Sequence, residues 1–369
     1  MGDRQAPRVL HVTQPTDAGV AAVVHDLAIH QHRHGVDVAV ACAGPLAARL
    51  RSQGVPVVDW SARRSPVRGL RTEAVSLRSI LAAWTPDVVH LHSSKAGLVG
   101  RLVLRGRTQT LFQPHAWGDE AVRWPVSTAV RAWERYADRW TNVTICVSDA
   151  EAQRAAALGV DTVRTVHNGI DVSRWQPVDS GTARRTLGLP ANAFVVACVG
   201  RLCRQKGQDV LVAAWQRARS SLPAGAVLVL VGDGPWRERL AADASDHVRL
   251  VGAVTDPRDW YAAADLVVMP SRWEGAALVP LEAMAMGRAV VGSAVGGFGE
   301  LVEDEEAALV PDDVDLLAEA LVRFARDGDR RQRLAVSGRA HVLQNRSADE
   351  SLRATTEITL TVAGQGARS

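Results

Sequence analysis

Lysine is nearly absent from this chain of 369 residues, which holds two, Lys95 and Lys206, against 41 arginines. Each lysine therefore invites the question of what the planar guanidinium of arginine could not do there. Nucleic-acid binding is disfavoured, because no basic stripe is interleaved with aromatic residues, which make up 5% of the chain. Residues 1–170 carry 20 basic against 14 acidic side chains. This mild excess would suit an anionic acceptor or a membrane surface, although arginines scattered over a solvated face are the commoner cause.

Cysteines and long apolar runs are also scarce. The four cysteines form no CxxC pair, which favours buried thiols in a reducing compartment over disulfides or a zinc site. Apolar runs such as residues 226–231 are too short to span a membrane. The first residues, MGDRQAPRVL, include an acid and a proline and lead into a strand, unlike a signal peptide. We expect a cytoplasmic protein, with peripheral contact at the inner face of the membrane as an option.

Short β-branched runs alternate with stretches of helical character along nearly the whole chain. Near-continuous hydrophobic strands separated by helices indicate parallel sheets covered on both faces. Two sets of five such runs occur, at residues 9–14, 36–42, 87–92, 110–114 and 143–148, and at 194–200, 226–232, 247–252, 265–271 and 289–294. The pattern predicts an α/β protein with two doubly wound, Rossmann-like domains.

The domain boundary is predicted within residues 171–193, which mix Pro, Gly, Ser and Asp without a strand pattern. We predict an N-terminal domain of residues 1–175 and a C-terminal domain of residues 176–347. The last helical stretch, within residues 348–369, could cross back to the first domain. Because open α/β sheets bind ligands beyond the carboxyl ends of their strands, two such domains facing a central cleft would place a site there.

The loop after the first strand of the second domain, VGRLCRQKG, carries the cations Arg201 and Lys206. Arg201 offers a bidentate fork and Lys206 a compact ammonium, a combination that suits a pyrophosphate. A solvated basic loop is the alternative on this segment alone.

The segment RWEGAALVPLEAMAMG, after the strand DLVVMPS, carries Glu274 and Glu282. Pro280 and the Ala/Leu/Met run predict a helix that begins near Leu278 and ends before Gly287. Its first free N–H groups, near Ala276 to Leu278, could hold a phosphate. Glu282 could then reach the hydroxyls of a ribose, and Glu274 those of a sugar.

The pattern EGAALVPLEAMAMG resembles the E-x7-E motif of glycosyltransferase family 4, whose members are retaining enzymes of the GT-B fold. The family often has Phe-Gly where this chain has Ala276-Ala277. VGRLCRQKG, LVGDGPWRERL, VRLVGAV and HNGIDVSRW resemble further family segments in the family's order. The resemblance covers about residues 8–345, and the combined order is specific although each motif alone is weak.

The resemblance assigns roles to individual residues of this chain. It implies donor binding by Arg201, Lys206, Glu274, Glu282 and the backbone of Gly275, Ala276, Ala277 and Leu278, with Val254 contacting the base. In the first domain, Gly19 would approach the donor phosphate or the acceptor, and His115, in FQPHAWG, would contact the donor sugar. Lys95, in HLHSSKAG, would bind an acceptor phosphate or cap a loop. His90 and His92 are read as core histidines rather than ligands.

The family implies a retaining transfer from a nucleotide diphosphate, with UDP favoured over GDP. Catalysis would rest on His115, Arg201, Lys206 and Glu274, which stabilise charge on the leaving diphosphate or orient the sugar. No cofactor or metal ion is expected; the D-x-D pairs at Asp313 and Asp327 are read as solvated. The expected acceptor is a glycan or lipid-linked molecule in cell-surface polysaccharide synthesis, with a secondary metabolite as the alternative.

Other protein classes fit less well. A dehydrogenase would need G-x-G-x-x-G after the first strand, where TDAGVAAVV supplies one glycine. A phosphorylase would need a lysine for pyridoxal phosphate deep in the second domain. A nucleotide-sugar epimerase shares the two-domain plan, but it is the least favoured of these three rival classes. A catalytically silent nucleotide-sugar-binding protein remains open on the sequence.

Overall fold

The computed structural model describes residues 6–63, 65, 68–302 and 307–365. The chain divides into two compact units: unit 1 combines the residues up to His167 with those from Glu350 on, and unit 2 is Asn168–Asp349. The first division therefore falls after residue 167 rather than after the predicted 175. The reason is local, since Ile170 bridges to Ser347 and its amide donates to the carbonyl oxygen of Arg346 at 2.9 Å.

Unit 1 is built on a parallel sheet with the strand order β3-β2-β1-β4-β5-β6-β7. The five predicted strands are all present. The additional ones, β3 and β7, are three-residue strands at the two edges. The strands are β1 (Arg8–Thr13), β2 (Asp37–Cys42), β3 (Val57–Asp59), β4 (Val88–His92), β5 (Gln109–Gln113), β6 (Val143–Cys146) and β7 (Val163–Thr165).

Helices cover both faces of this sheet. They are α1 (Ala18–Arg33), α2 (Gly44–Ser52), α3 (Leu70–Trp84), α4 (Ser93–Leu104), α5 (Val126–Ala137), α6 (Asp149–Leu158) and, from the end of the chain, α14 (Ala348–Ala363). Val362 of α14 is 2% exposed and packs with Val88, Leu111 and Ile145 of the sheet. The C-terminal helix is therefore part of the core of unit 1.

Unit 2 has a second parallel sheet, with the order β10-β9-β8-β11-β12-β13. The five strands expected here are present, and the two-residue β13 is added at the edge. The strands are β8 (Val195–Val199), β9 (Val227–Val231), β10 (Val248–Gly252), β11 (Leu266–Met269), β12 (Ala289–Ser293) and β13 (Ala308–Leu309).

The helices of unit 2 bury apolar faces on the two sides of its sheet. They are α7 (Ser180–Thr186), α8 (Gln208–Ala218), α9 (Arg237–Asp243), α10 (Arg258–Ala263), α11 (Leu278–Ala285), α12 (Val314–Arg326) and α13 (Gly328–Asn345). Trp215 of α8 and Phe324 of α12 are fully buried in one core cluster, and Met284 of α11 packs with Val342 of α13 in the other. The fold is thus two Rossmann-like α/β units, as predicted.

The four cysteines are buried and unpaired. Cys42, Cys146 and Cys198 lie in strands, and Cys203 lies in the loop after β8. In the part of the chain that the structure describes, no helix combines the length and apolar character needed to cross a bilayer.

Candidate functional site

The sheet of unit 2 has its topological switch point at β8. The chain runs from β8 to β9 and β10 on one side and then returns to β11 on the other side. The loops that leave β8 and β11, residues 200–207 and 270–277, therefore flank one crevice, where open α/β sheets bind ligands. These loops carry Arg201, Lys206 and Glu274, so the structure brings the three predicted residues to one edge of the sheet.

Glycines allow these two loops to touch. Gly207 has φ +65°, and a Cβ atom there would lie 1.9 Å from the carbonyl oxygen of Pro270. Gly296 has φ +53°, and its Cβ would lie 2.2 Å from the carbonyl oxygen of Glu274. Any side chain at either position would push backbone segments apart. Gly207 therefore lets the loop after β8 approach the loop that carries Glu274, and Gly296 lets the segment after β12 approach Glu274 itself.

Lys206 and Glu274 form an ion pair across the two loops. Lys206 Nζ donates to Glu274 Oε1 at 2.5 Å, and Ser271 Oγ donates to the same oxygen at 2.8 Å. Glu274 is 8% exposed, so removing its partners would leave a buried carboxylate uncompensated. No hydrogen bond from the described residues reaches Glu274 Oε2. That oxygen is available to accept a ligand hydroxyl.

Arg201 is a half-buried cation with a free guanidinium. Its carbonyl oxygen accepts from Gln208 Nε2 at 3.0 Å, but within the described ranges its side chain has no hydrogen bond or ion pair. The neighbouring cations differ in this respect. Arg272 makes a two-pronged contact with Asp209 at 2.9 and 3.0 Å, and Arg204 lies 5.4 Å above the ring of Trp273. Arg201 can therefore bind an anionic ligand without first breaking an internal bond.

Helix α11 begins at Leu278, where the sequence predicts it. Ala277 precedes it in extended conformation and supplies no side-chain cap, so the first amides of the helix are free for an acceptor. The backbone before it is held in place, because Ala276 O accepts from Asn168 Nδ2 and Gly275 O accepts from the amide of Gly297, each at 2.8 Å. This arrangement can hold a phosphate group.

Glu282 lies one turn into α11, against α10. The hydroxyl of the fully buried Tyr261 donates to Glu282 Oε2 at 2.7 Å. Burial raises the pKa of Glu282 to about 7, and the Tyr261 hydrogen bond opposes this shift. Burial also raises the pKa of Tyr261 well above its usual range, and the charge and hydrogen bond of Glu282 add to this shift. Glu282 therefore changes its protonation near neutral pH.

Val254 follows β10 in a loop and is 36% exposed. Its backbone is available at the carboxyl end of the sheet, on the same side as the β8 loop. The base contact assigned to it by resemblance stays a prediction.

Strained backbone marks the carboxyl ends of the central strands of unit 1. Ala18 (φ +57°) follows β1, Ser93 (φ +70°) follows β4, and His115 (φ +58°) follows β5. Each such conformation costs on the order of 1 kcal/mol or more for a residue with a Cβ atom, and such residues concentrate at functional sites. Gly19 lies beside Ala18 at the start of α1, where an added Cβ would meet no atom within 4 Å.

A row of imidazoles lies below these strand ends. His11 on β1 and His90 and His92 on β4 are fully buried, which confirms that the latter two are core residues. His115 Nε2 lies 3.2 Å from His92 Nδ1, and His92 Nε2 lies 3.0 Å from His11 Nδ1. His11 Nε2 lies 2.8 Å from the amide oxygen of Gln31, which is buried on α1. These three contacts join four side chains into one hydrogen-bonded chain, which runs from Gln31 through His11 and His92 to His115.

Burial keeps these imidazoles neutral. It lowers the pKa of His11 to about 4, against an opposing hydrogen bond from Gln31, and lowers the pKa of His115 to about 3. Burial and mutual repulsion place the pKa values of His90 and His92 well below the usual range. Ring nitrogens of His11, His90 and His92 lie within 4.8 Å of one another, a set that could ligate a metal ion. Two of these rings, His11 and His92, are hydrogen-bonded to each other.

Lys95 takes a structural position. It is 5% exposed; its ammonium pairs with Glu73 at 2.7 Å and donates to the carbonyl oxygens of Ser65 at 2.8 Å and Arg68 at 3.1 Å. The ammonium therefore ties the segment before α3 to α4. The acceptor-phosphate role of Lys95 stays a prediction.

The two D-x-D pairs have a structural explanation that the sequence reading missed. Asp313 accepts from the amides of Asp315 and Leu316 as the N-cap of α12, and Asp327 accepts from the amide of Arg330 as the N-cap of α13. Their first carboxylates cap helices rather than being merely solvated.

Sequence analysis did not identify three contacts: those of Ser271 and Tyr261 in unit 2, and that of Gln31 in unit 1. Their partners lie 3, 21 and 20 residues away, respectively. Ser271 could have been predicted from the sequence, because it ends the strand-like run of residues 265–271. The other two have no motif of their own.

Comparison with known proteins places this arrangement in a family. The model described as Glycosyltransferase Family 4 matches residues 18–174, and the one described as Glycosyl transferases group 1 matches residues 193–327. The two matches correspond to unit 1 and unit 2.

Curated relatives agree with these matches. A GDP-mannose-dependent alpha-(1-6)-phosphatidylinositol monomannoside mannosyltransferase of Mycobacterium tuberculosis is 32% identical over 322 residues, which cover 79% of this chain and 82% of that protein. The lipopolysaccharide core biosynthesis mannosyltransferase LpsB of Rhizobium meliloti is 37% identical over 237 residues, or 60% of this chain. This chain spans 66% of LpsB, and 61% and 51% of two further relatives.

Solved structures share the fold. HepE of Anabaena, in a complex with UDP and glucose, superposes with a TM-score of 0.82 at 22% identity and covers 96% of this chain and 100% of its own. At this identity the likeness establishes the architecture, which is that of the GT-B glycosyltransferases.

The neutral histidines of unit 1 predict acid lability. A histidine with a folded-state pKa far below 6.5 stays neutral in the native chain while the unfolded chain takes up a proton, so stability falls as pH falls below about 6.5. From pH 7.5 to pH 5, each such histidine should cost about 2 kcal/mol of unfolding free energy. Denaturant titrations at these two pH values measure the change.

His90→Leu should lessen this pH dependence, because it removes one buried imidazole. His34→Gln, at an exposed position, should leave the dependence as in the wild type. Equal pH dependence in His90→Leu and the wild type would contradict the assignment of the acid sensitivity to this row.

Proposed function

The chain belongs to glycosyltransferase family 4, and we propose that it transfers a sugar from a nucleotide diphosphate to an acceptor hydroxyl with retention of anomeric configuration and without a metal ion. The observation that carries the proposal is the grouping of the free Arg201 guanidinium, the Lys206–Glu274 pair and the uncapped start of α11 on adjoining loops. Together they offer positive charge and free amides to a diphosphate.

In this proposal the diphosphate is the principal charge that unit 2 recognises. Arg201 binds it through two N–H groups, Lys206 adds a point charge, and the amides from Ala276 to Leu278 bind it through the backbone. As the bond to the sugar breaks, negative charge grows on the leaving diphosphate, and these groups stabilise it. The leaving phosphate itself takes the proton of the acceptor hydroxyl.

Carboxylates recognise the neutral parts of the donor. Glu282, one turn into α11, accepts hydrogen bonds from the ribose hydroxyls, and Val254 contacts the base through its backbone. Glu274 accepts from a sugar hydroxyl through Oε2, the oxygen that the ion pair leaves open. His115 also contacts the sugar, and Gly19 leaves room at the start of α1 for a phosphate or the acceptor.

We propose UDP rather than GDP as the carrier, and a glycan or lipid-linked acceptor. The solved complexes of HepE with UDP support the first choice, whereas the name of the Mycobacterium tuberculosis relative favours a GDP-linked donor. The names of the relatives that act on lipopolysaccharide core and phosphatidylinositol mannoside support the second choice. Exposed Trp124, Val126 and Tyr136 lie in or beside α5, which also carries Arg131 and Arg135. Such a mixed apolar and basic surface suits peripheral contact with an anionic membrane.

The first experiment is a thermal-shift screen of the purified protein against UDP, GDP, TDP and ADP with EDTA present. A ligand at about 100 times its dissociation constant should add about 2.7 kcal/mol of stability. We expect one diphosphate to stabilise the wild type, Arg201→Ala to lose the effect, and Arg204→Ala, an exposed arginine of the same loop, to keep it. Stabilisation by none of them, or only with a divalent ion, would favour a silent or metal-dependent protein.

Glu274→Gln should separate binding from transfer. The change removes the charge that neutralises Lys206, so affinity for the nucleoside diphosphate should stay the same or rise. The transfer rate should fall about 100-fold, because the contact with the sugar is weakened in the transition state. Calorimetry with the diphosphate and steady-state kinetics with the nucleotide sugar measure the two effects. Parallel losses of affinity and rate would show that Glu274 supports the phosphate site instead.

Glu282 should make nucleotide binding pH-dependent. With a pKa of about 7, about one tenth of the carboxyl is ionised at pH 6 and about nine tenths at pH 8, and only the ionised form accepts two hydroxyl hydrogen bonds. Affinity for UDP should therefore fall about tenfold from pH 8 to pH 6. Glu282→Gln should keep only the titration of the nucleotide itself, with a pKa near 6. The same pH profile in both proteins would rule out this role.

A further inference from the structure

The hydrogen-bonded chain in unit 1 has a direction. A neutral imidazole carries one N–H and one bare nitrogen, so it donates at one side of the ring and accepts at the other. In a chain of neutral imidazoles, the group at one end therefore fixes the position of every proton up to the other end. The ends here are Gln31, inside the core, and His115, at the carboxyl end of β5.

The amide oxygen of Gln31 faces His11 Nε2 at 2.8 Å and can only accept, so His11 carries its proton on Nε2. His11 Nδ1 is then bare and accepts from His92 Nε2 at 3.0 Å. His92 Nδ1 is bare in turn and accepts from His115 Nε2 at 3.2 Å. The proton of His115 is thereby placed on Nε2, and its Nδ1 is left as an acceptor with no hydrogen bond from the described residues.

The interior members of the chain are shielded from water. Gln31, His11 and His92 are each 0% exposed, and the chain crosses from α1 over β1 to β4. Water cannot exchange their protons without local opening, and a reversed proton order would require the buried amide to turn as well. By contrast, an isolated imidazole at the position of His115 would hold both tautomers.

We propose that Gln31 is a positioning residue that sets the tautomer of His115 through His11 and His92, so that His115 presents Nδ1 as a hydrogen-bond acceptor to a ligand hydroxyl. That the hydroxyl belongs to the donor sugar rests on the proposed function. The tautomer itself follows from unit 1 alone. The strained backbone of His115 then fixes where this acceptor stands.

The test reads the tautomer directly, by long-range ¹H–¹⁵N correlation spectra of the full-length protein labelled at histidine, with His115→Ala to assign the signal. We expect wild-type His115 to be protonated at Nε2 and bare at Nδ1. Gln31→Met, which keeps the volume and removes the acceptor, should give a mixture. Gln113→Met should give the same His115 tautomer as the wild type, because Gln113 is a buried amide beside His90 that is not part of the hydrogen-bonded chain.

Kinetics separate positioning from a purely structural role. If the two tautomers become equally populated, KM for the nucleotide sugar should rise about twofold in Gln31→Met, while affinity for the nucleoside diphosphate stays unchanged. Gln113→Met should change neither quantity. Loss of diphosphate affinity in Gln31→Met would mean a general loss of structure and would count against positioning.

Three results would overturn the proposal: a wild-type His115 protonated at Nδ1, an unchanged tautomer in Gln31→Met, or a stoichiometric metal ion that a chelator removes from the histidines. The wild-type spectrum decides even if Gln31→Met does not fold. The expected spectra in a protein that binds no nucleotide sugar would uphold the role of Gln31 and refute the proposed function instead.

Discussion

The close approach of the loops after β8 and β11 is the constraint on which the unit 2 site depends. It exists because position 207 has no Cβ, which would otherwise lie 1.9 Å from the carbonyl oxygen of Pro270. Lys206 can reach Glu274 only at this spacing. Among the residues that the structure describes, that ammonium and the hydroxyl of Ser271 are the groups that offset the burial of the carboxylate. The charges are therefore held in place by backbone packing before a ligand arrives, as electrostatic stabilisation of a transition state requires.

Tight packing also holds the loops of unit 1 in place. Helix α4 lies so close to the sheet that a Cβ on Gly97 would be 2.3 Å from Phe112, and one on Gly100 would be 2.3 Å from Leu91. This packing fixes the start of α4, where Ser93 takes a left-handed conformation and its hydroxyl donates to the carbonyl oxygen of Gln14. The turns after β1 and β4 are thus locked together, and the cost of their strain is met by the core beneath them.

The sequence predicts what depends on local pattern and misses what depends on distant partners. Ten strands and helix α11 follow from apolar runs and from Pro280, whereas β3, β7 and β13 are too short to show a period. The motif loops identify Arg201, Lys206 and Glu274, but not that two of them neutralise each other. For Lys95, composition marks the residue as unusual, yet its partner Glu73 lies on another helix and carries no motif. Proton positions in the imidazole chain depend on a glutamine of α1 that no periodicity distinguishes from a surface residue.

The pairing of Lys206 with Glu274 changes the charge balance of the site. Arg201 and Lys206 on one loop suggest that both are available to a diphosphate. In the described part of the structure, however, Lys206 is paired with Glu274, whereas the Arg201 side chain has no hydrogen bond or ion pair. A sugar hydroxyl that donates a hydrogen bond to Glu274 would partly neutralise the carboxylate. The ion pair with Lys206 would then weaken, and the ammonium would attract the phosphate more strongly. Sugar recognition and leaving-group stabilisation would then be coupled through one ion pair. A nucleoside diphosphate without its sugar would leave Lys206 committed to Glu274, so the full positive charge would act only on the complete donor.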